Sequence, residues 1–275
     1  MPNRRLFLNA ALTGAASLAI NRRTFAADEP TWLTYAVNLE TVWSRLPLLD
    51  RLKKVADAGF THYEFWQFKT KDIHALDKVS RALNLTPVRF TAFRGLTDPK
   101  KKEAFLESID DAIEVADTLG VKMLRVTAGD AVAGLERDAM IDAVVDALKE
   151  AADKLKDRGL TLLLGPPETP NDRGAKPLIA TVKEAVEVID AVGSGDVKIL
   201  HDVDAWHADD IKSHFAKIGG FEITAPPMAD LSRVLKLIHD LGFKDPIGLN
   251  LKPKADPIEG LRTLRAADAA AKGMG

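Results

Sequence analysis

Hydrophobic and polar positions follow two periods along the chain, and segments of the two kinds alternate eight times from Thr31 onward. The helical segments carry apolar residues three and four positions apart, as at Leu106, Ile109 and Ile113. The strand-like runs between them are Leu33–Leu39, His62–Phe68, Val88–Phe93, Lys122–Ala128, Leu160–Pro166, Val197–Val203, Phe221–Ala225 and Ile247–Pro253. Strands that alternate with helices indicate a parallel sheet. Eight such units over about 250 residues predict an α/β fold, a closed (β/α)8 barrel.

This barrel accounts for residues 28–275 as one domain, and its chemistry is expected at the carboxyl ends of the strands. Local signals bracket the strands. Asp98-Pro99 is typical of a helix start, and Gly120 is typical of a helix end. The long irregular stretch Pro166–Pro177 follows the fifth strand, so we expect it to shape a pocket on the catalytic face.

Composition narrows the function classes. The 275 residues carry a formal net charge of -2, which argues against a nucleic-acid partner because binding to phosphate backbones needs a basic face. The chain has no cysteine, which excludes disulfides, thiolate nucleophiles and cysteine-ligated zinc.

The first 27 residues have the layout of a twin-arginine signal peptide. Arg4-Arg5 precedes a weakly apolar stretch, Ala10–Ile20, and small residues suited to cleavage follow at Ala26-Ala27. This layout predicts export by the twin-arginine translocation machinery to the periplasm. The alternative is an amphipathic N-terminal helix in which the two arginines have no export role.

Replacing both Arg4 and Arg5 with lysine is expected to trap the precursor in the cytoplasm, because the export machinery recognises the arginine pair. Cell fractionation followed by immunoblotting measures this. An unchanged periplasmic yield would contradict the export prediction.

Polar side chains within the strands are the candidates for chemistry, because a buried charge needs a partner or a ligand. We expect Glu64, Arg125, His201, His207 and Lys252 to contact a small-molecule substrate. Asp202, Glu222 and Asn250 end neighbouring strands and offer oxygen ligands, so they are candidates to bind Mg²⁺, Mn²⁺ or Zn²⁺.

Structural roles compete with these assignments. Arg89 and Lys122 lie near predicted strand starts and are expected to form ion pairs at the stability face of the barrel. Glu64 then pairs with Arg89 or Arg125 to fill the barrel, and His207 caps the sixth helix.

Several segments resemble hydroxypyruvate isomerase-like proteins, a group within the xylose-isomerase-like TIM barrels that include many sugar-phosphate isomerases and epimerases. The similar segments are Tyr35–Trp43, Ala58–Phe60, Glu64–Trp66, Val192–Ser194, Lys198–Val203 and Gly248–Lys254. The resemblance covers essentially the whole chain after the leader. It implies a TIM barrel and, if the protein is active, an intramolecular oxidoreductase of the aldose–ketose isomerase type.

The resemblance also implies a site. Members of this group bind a divalent metal with residues of strands five to eight, and two glutamates among them move the proton. The matching positions here are Gly165, Asp202, Glu222 and Asn250. Both proton-moving carboxylates are therefore replaced, by Gly165 and Asn250, although Glu168 lies three residues further along the loop. Restoring the carboxylates, Gly165→Glu with Asn250→Glu, is then predicted to raise turnover.

Two functions remain open from the sequence. The first is an isomerase or epimerase acting on a small hydroxy-carbonyl or sugar-derived compound of the hydroxypyruvate type. The second is a catalytically silent periplasmic barrel that binds a sugar or a sugar acid. A nucleic-acid repair enzyme, also found among such barrels, is disfavoured by the slightly acidic charge.

Overall fold

The computed structural model describes residues 31–165, 176–203, 208–224, 230–251 and 257–274. Eight parallel strands close into a barrel in sequence order, which confirms the predicted (β/α)8 fold. The strands are β1 Tyr35–Asn38, β2 His62–Gln67, β3 Thr86–Arg94, β4 Met123–Thr127, β5 Thr161–Leu164, β6 Val197–Asp202, β7 Ile218–Ile223 and β8 Ile247–Leu249. The helices around them are α1 Leu48–Asp57, α2 Ile73–Ala82, α3 Lys102–Leu119, α4 Arg137–Leu155, α5 Val182–Val192, α6 Ala208–His214, α7 Leu231–Asp240 and α8 Pro257–Lys272.

Several predicted features lie outside the described residues. These are the leader at residues 1–27, most of the loop that follows β5, and the candidate residues Glu168, His207 and Lys252. They stay predictions. No helix in the described part of the chain is both long and apolar enough to cross a membrane.

The seventh strand begins at Ile218, three residues before the predicted start at Phe221. Gly219 and Gly220 lie before that predicted start, yet both are strand residues. A Cβ on Gly219 would lie 2.8 Å from Cβ of Lys198, and one on Gly220 would lie 3.2 Å from Nη1 of Arg89. The two glycines therefore leave room for side chains of other strands that cross the barrel interior.

The barrel interior has an apolar floor below its polar positions. The floor is a cluster of five buried residues, Ala36, Val88, Met123, Leu163 and Leu200. Four of them precede an inward-facing polar or glycine position by two residues, and residues two apart share one face of a strand. Those four positions are Asn38, Arg125, Gly165 and Asp202. The floor therefore separates the polar layer from solvent at the amino ends of the strands.

Buried Asp268 on α8 binds the segment that leads into β1, and so connects the last helix of the barrel with its first strand. Its carboxylate accepts hydrogen bonds from the backbone N of Trp32 at 2.5 Å, from the backbone N of Leu33 at 3.1 Å and from the hydroxyl of Tyr35 at 2.7 Å. Burial and the Asp268 charge raise the pKa of the Tyr35 hydroxyl, so this group stays a donor. The contact fixes the start of β1 against the last helix.

Candidate functional site

Four charged side chains from four strands meet in the barrel interior, and we name this group the charged cluster. Its members are Glu64 on β2, Arg89 on β3, Arg125 on β4 and Glu222 on β7, all of them buried. Nε of Arg89 lies 2.7 Å from Oε2 of Glu64. Oε2 of Glu222 lies 3.4 Å from Nη1 of Arg125 and 4.0 Å from Nη2 of Arg89. Two guanidinium groups thus face two carboxylates.

Equal numbers of opposite charges make the burial of the charged cluster tolerable, since an unpaired buried charge is costly. Uncharged groups form further hydrogen bonds with the charged cluster. Nδ2 of Asn38 donates to Oε1 of Glu64 at 3.0 Å, and Nη2 of Arg89 donates to the carbonyl oxygen of Phe221 at 3.2 Å. Burial raises the pKa of Glu64, while the Arg89 guanidinium opposes that shift.

These contacts bear on the structural roles predicted for three residues. Glu64 pairs closely with Arg89, so its role as filling of the barrel has direct support. Arg89 forms the ion pair that the sequence predicted, but it does so in the middle of the barrel. Lys122 is exposed and forms no ion pair with the described residues, so that prediction was wrong.

Gly248 on β8 is required by the packing of the charged cluster. A Cβ at this position would lie 2.7 Å from Oε2 of Glu64 and would overlap Nη2 of Arg89. Any side chain there would have to displace the buried ion pair. In the sequence, Gly248 stands out only as the first residue of the segment Gly248–Lys254, which resembles the isomerase-like group. Its packing role could not be predicted, because that role depends on side chains from two other strands.

Gly165, directly after β5, leaves equally little room. A Cβ here would lie 2.8 Å from Cγ2 of Thr127, 3.0 Å from the carbonyl oxygen of Val126 and 3.2 Å from Nε of Arg125. A glutamate at this position therefore requires movement of the backbone or side chain of β4. The predicted gain from restoring carboxylates at positions 165 and 250 needs correction, since the change at 165 would disturb the site that it is meant to repair.

Asp202 and Glu222 are register partners on the adjacent strands β6 and β7, at the carboxyl end of the barrel. Their side chains have different surroundings. Asp202 is partly exposed and accepts a hydrogen bond from Oγ1 of Thr224 at 2.8 Å, whereas Glu222 is buried against the arginines. Asn250, the third predicted metal ligand, is also partly exposed, and its backbone N donates to the carbonyl oxygen of Ile223 at 2.9 Å.

The residues that the structure describes at this end of the barrel do not fit a divalent cation. The described part of the chain contains no group of three or more histidine, cysteine, aspartate or glutamate side chains able to hold a metal. Of the three predicted ligands, Glu222 already faces two guanidinium groups, and Asn250 carries no charge. A cation bound by Glu222 would be repelled by the guanidinium groups of Arg89 and Arg125.

His201 lies apart from the charged cluster. It is buried, its Nδ1 lies 2.6 Å from the carbonyl oxygen of Asp202, and its ring centroid lies 5.8 Å from that of Phe221. Side chains alternate along a strand, so His201 is on the opposite face of β6 from Leu200 and Asp202. Its position therefore gives no support to the predicted contact with substrate.

Comparison with known proteins identifies the family. The sequence profile described as "Xylose isomerase-like TIM barrel" matches residues 52–267. The chain belongs to the xylose isomerase-like TIM barrel family. The chain is 26% identical over 266 residues to a putative hydroxypyruvate isomerase of Mus musculus, covering 85% of this chain and 95% of that protein. The hydroxypyruvate isomerase of Escherichia coli (strain K12) is 25% identical over 255 residues, covering 84% and 97%.

A solved structure agrees at the level of the fold. The AP endonuclease, family 2, of Brucella melitensis superimposes with a TM-score of 0.75, covers 83% of this chain and 96% of its own, and is 22% identical. At that identity the likeness concerns the barrel and not its activity. The chain is thus an isomerase/epimerase-like TIM barrel that has hydroxypyruvate isomerases among its relatives.

Proposed function

We propose that this barrel catalyses proton transfer next to the carbonyl group of a small hydroxy-carbonyl compound, with hydroxypyruvate as the first substrate to test. The observation that carries the proposal is the register pairing of Asp202 with Glu222 at the carboxyl ends of β6 and β7. The partly exposed carboxylate of Asp202 lies beside Glu222, which contacts the Arg125 guanidinium. Two relatives named hydroxypyruvate isomerase, matched over more than four-fifths of this chain, support the substrate class.

Asp202 is the proposed general base. Such a base has to reach the C–H bond of the substrate, which requires a carboxylate at the open end of the barrel. Glu64 and Glu222 are buried and ion-paired, whereas Asp202 is partly exposed and is held by the hydroxyl of Thr224. Removal of the proton creates an enediolate, and a guanidinium group stabilises the negative charge that develops on its oxygen. Arg125 is proposed for that role.

The second candidate, a silent barrel that binds a sugar acid, is favoured by Gly165. The close packing at this residue leaves no room for a carboxylate at position 165, so proton transfer is assigned here to Asp202. Both candidates bind their ligand at the open end of the barrel. They differ in whether the bound compound loses a proton.

Exchange of substrate hydrogen with solvent distinguishes the two functions. Hydroxypyruvate incubated with the protein in D₂O is expected to lose its C3 proton signal in the ¹H NMR spectrum faster than in buffer alone, because enediolate formation releases that proton. Asp202→Asn is expected to slow the protein-dependent exchange by about 10²-fold or more, since it removes the base. Asp153→Asn, on the exposed face of α4, is the matched control and should leave the rate unchanged.

The outcomes are separable. Hydroxypyruvate that binds in calorimetry without any protein-dependent exchange would reject proton transfer and support the silent barrel. Exchange that continues at the parent rate in Asp202→Asn would reject Asp202 as the base.

A further inference from the structure

Arg125 lies between two positions, 165 and 222, that match metal-binding positions of the proteins this chain resembles. Its Nε lies 3.2 Å from the place where a Cβ of residue 165 would stand, and its Nη1 lies 3.4 Å from Oε2 of Glu222. The guanidinium therefore lies between the end of β5 and the carboxylate of β7. Carboxylates at residues 165 and 222 would need this same space to share a cation.

We propose that the guanidinium of Arg125 takes the place of a divalent cation in this barrel, so that the pocket binds the carboxylate of its substrate directly and without a metal. The substrate part of this inference rests on the proposed function. The metal part rests on the described residues alone.

Charge supports the replacement. Oε2 of Glu222 lies within 4.0 Å of nitrogen atoms of both Arg125 and Arg89, so its negative charge is already balanced. Residue 165 adds no ligand because it is glycine, and Asn250 adds no charge. A dication here would be repelled by the guanidinium groups of Arg89 and Arg125, while Asp202 adds one carboxylate from the adjacent strand.

Unused hydrogen-bond donors indicate the class of ligand. A guanidinium carries five N–H donors, and the described part of the chain provides Arg125 with one side-chain hydrogen bond, from Nη1 to Glu222. Among the described residues, its buried Nε has no hydrogen-bond partner, and neither has buried Nη1 of Arg89. Arg125 is 8% exposed, so it is not completely enclosed. Carboxylates match the planar fork of arginine, which favours a 2-keto acid over a neutral sugar.

Two measurements on the full chain test the proposal. After treatment with a chelator and dialysis, the parent protein is expected to contain much less than one equivalent of Mg, Mn or Zn by plasma mass spectrometry. Adding each ion is expected to leave the melting temperature unchanged. In calorimetry, hydroxypyruvate is expected to bind at least ten-fold more tightly than dihydroxyacetone, a neutral three-carbon compound that has the same hydroxy-ketone group but no carboxylate.

Variants test whether the preference for hydroxypyruvate over dihydroxyacetone depends on Arg125. Arg125→Gln is expected to remove the preference for hydroxypyruvate, and Arg125→Lys to retain part of it because the charge remains. Arg158→Gln, which changes an exposed arginine beyond α4, is the control and should bind as the parent does. If Arg125→Gln does not fold, Arg125→Gln with Glu222→Gln removes the unpaired carboxylate and tests the same loss of preference.

Three results would overturn the proposal. They are a full equivalent of tightly held metal in the parent, equal affinity for the two three-carbon compounds, or an unchanged preference in the foldable variant that lacks Arg125. Metal-dependent stabilisation that is present in Arg125→Gln and absent from the parent would support it. Tight metal-free binding without proton exchange would leave this inference in place and reject the proposed function.

Discussion

Replacing Arg89 with methionine is expected to lower the free energy of unfolding by about 3–5 kcal/mol, the cost typical of breaking a buried ion pair from one side. Methionine retains the apolar stem but removes the guanidinium 2.7 Å from Glu64 and its hydrogen bond to Phe221. Glu64 would then keep a buried charge without its closest cation. Urea denaturation of parent and variant at one temperature measures the difference, with Arg158→Met as an exposed control.

A second change separates charge from packing. Glu64→Gln in the Arg89→Met background is expected to recover part of the lost stability, because the uncompensated carboxylate is removed. Strictly additive effects of the two substitutions would contradict the assigned ion pair.

The pH dependence of the same variant has a defined sign. Burial raises the pKa of Glu64 above its ordinary value of 4.5, and the Arg89 guanidinium opposes this rise. A carboxyl whose folded pKa is raised contributes stability that is fully present below the unfolded pKa and is lost as the pH rises through the folded pKa. Removing Arg89 raises the folded pKa further. The loss of stability in Arg89→Met is therefore expected to be smaller at pH 5 than at pH 8.

The fold could be predicted from the sequence because it depends on local patterns. The helical period, the short strands between helices and glycines such as Gly120, which ends α3 in the left-handed region at φ 71°, each act within a few residues. The neighbouring positions of Asp202 and Glu222 followed from strand order, since consecutive strands pair at corresponding ends.

The interior of the site could not be predicted in the same way, because its geometry depends on contacts between strands. Arg89 lay near the start of the predicted strand Val88–Phe93, but β3 begins at Thr86, which places Arg89 well inside the barrel. Register shifts between β2 and β3 also change which residues of β2 lie beside Arg89. Nothing in the sequence around Gly165 indicates that the Arg125 side chain fills the space beside it.

Replacing Gly248 with alanine is expected to destabilise the protein by about 3 kcal/mol or more, at or above the upper end for overpacking a core. The added methyl group would lie 2.7 Å from Oε2 of Glu64 and would overlap Nη2 of Arg89, so the ion pair has to separate or β8 has to move. Gly195→Ala is the matched control, because a Cβ there has no neighbour within 4 Å. Urea denaturation again measures both variants.

The combination with Arg89→Met identifies the cause of this loss. If the methyl group acts by colliding with the guanidinium, Gly248→Ala should cost much less in the Arg89→Met background than in the parent, since the colliding group has gone. The cost should not vanish, because Oε2 of Glu64 remains close to the added atom. Equal costs in the two backgrounds would show that the collision with the Arg89 guanidinium is not the cause of the loss. A near-zero cost in the parent would show that the charged cluster adapts to a side chain at position 248.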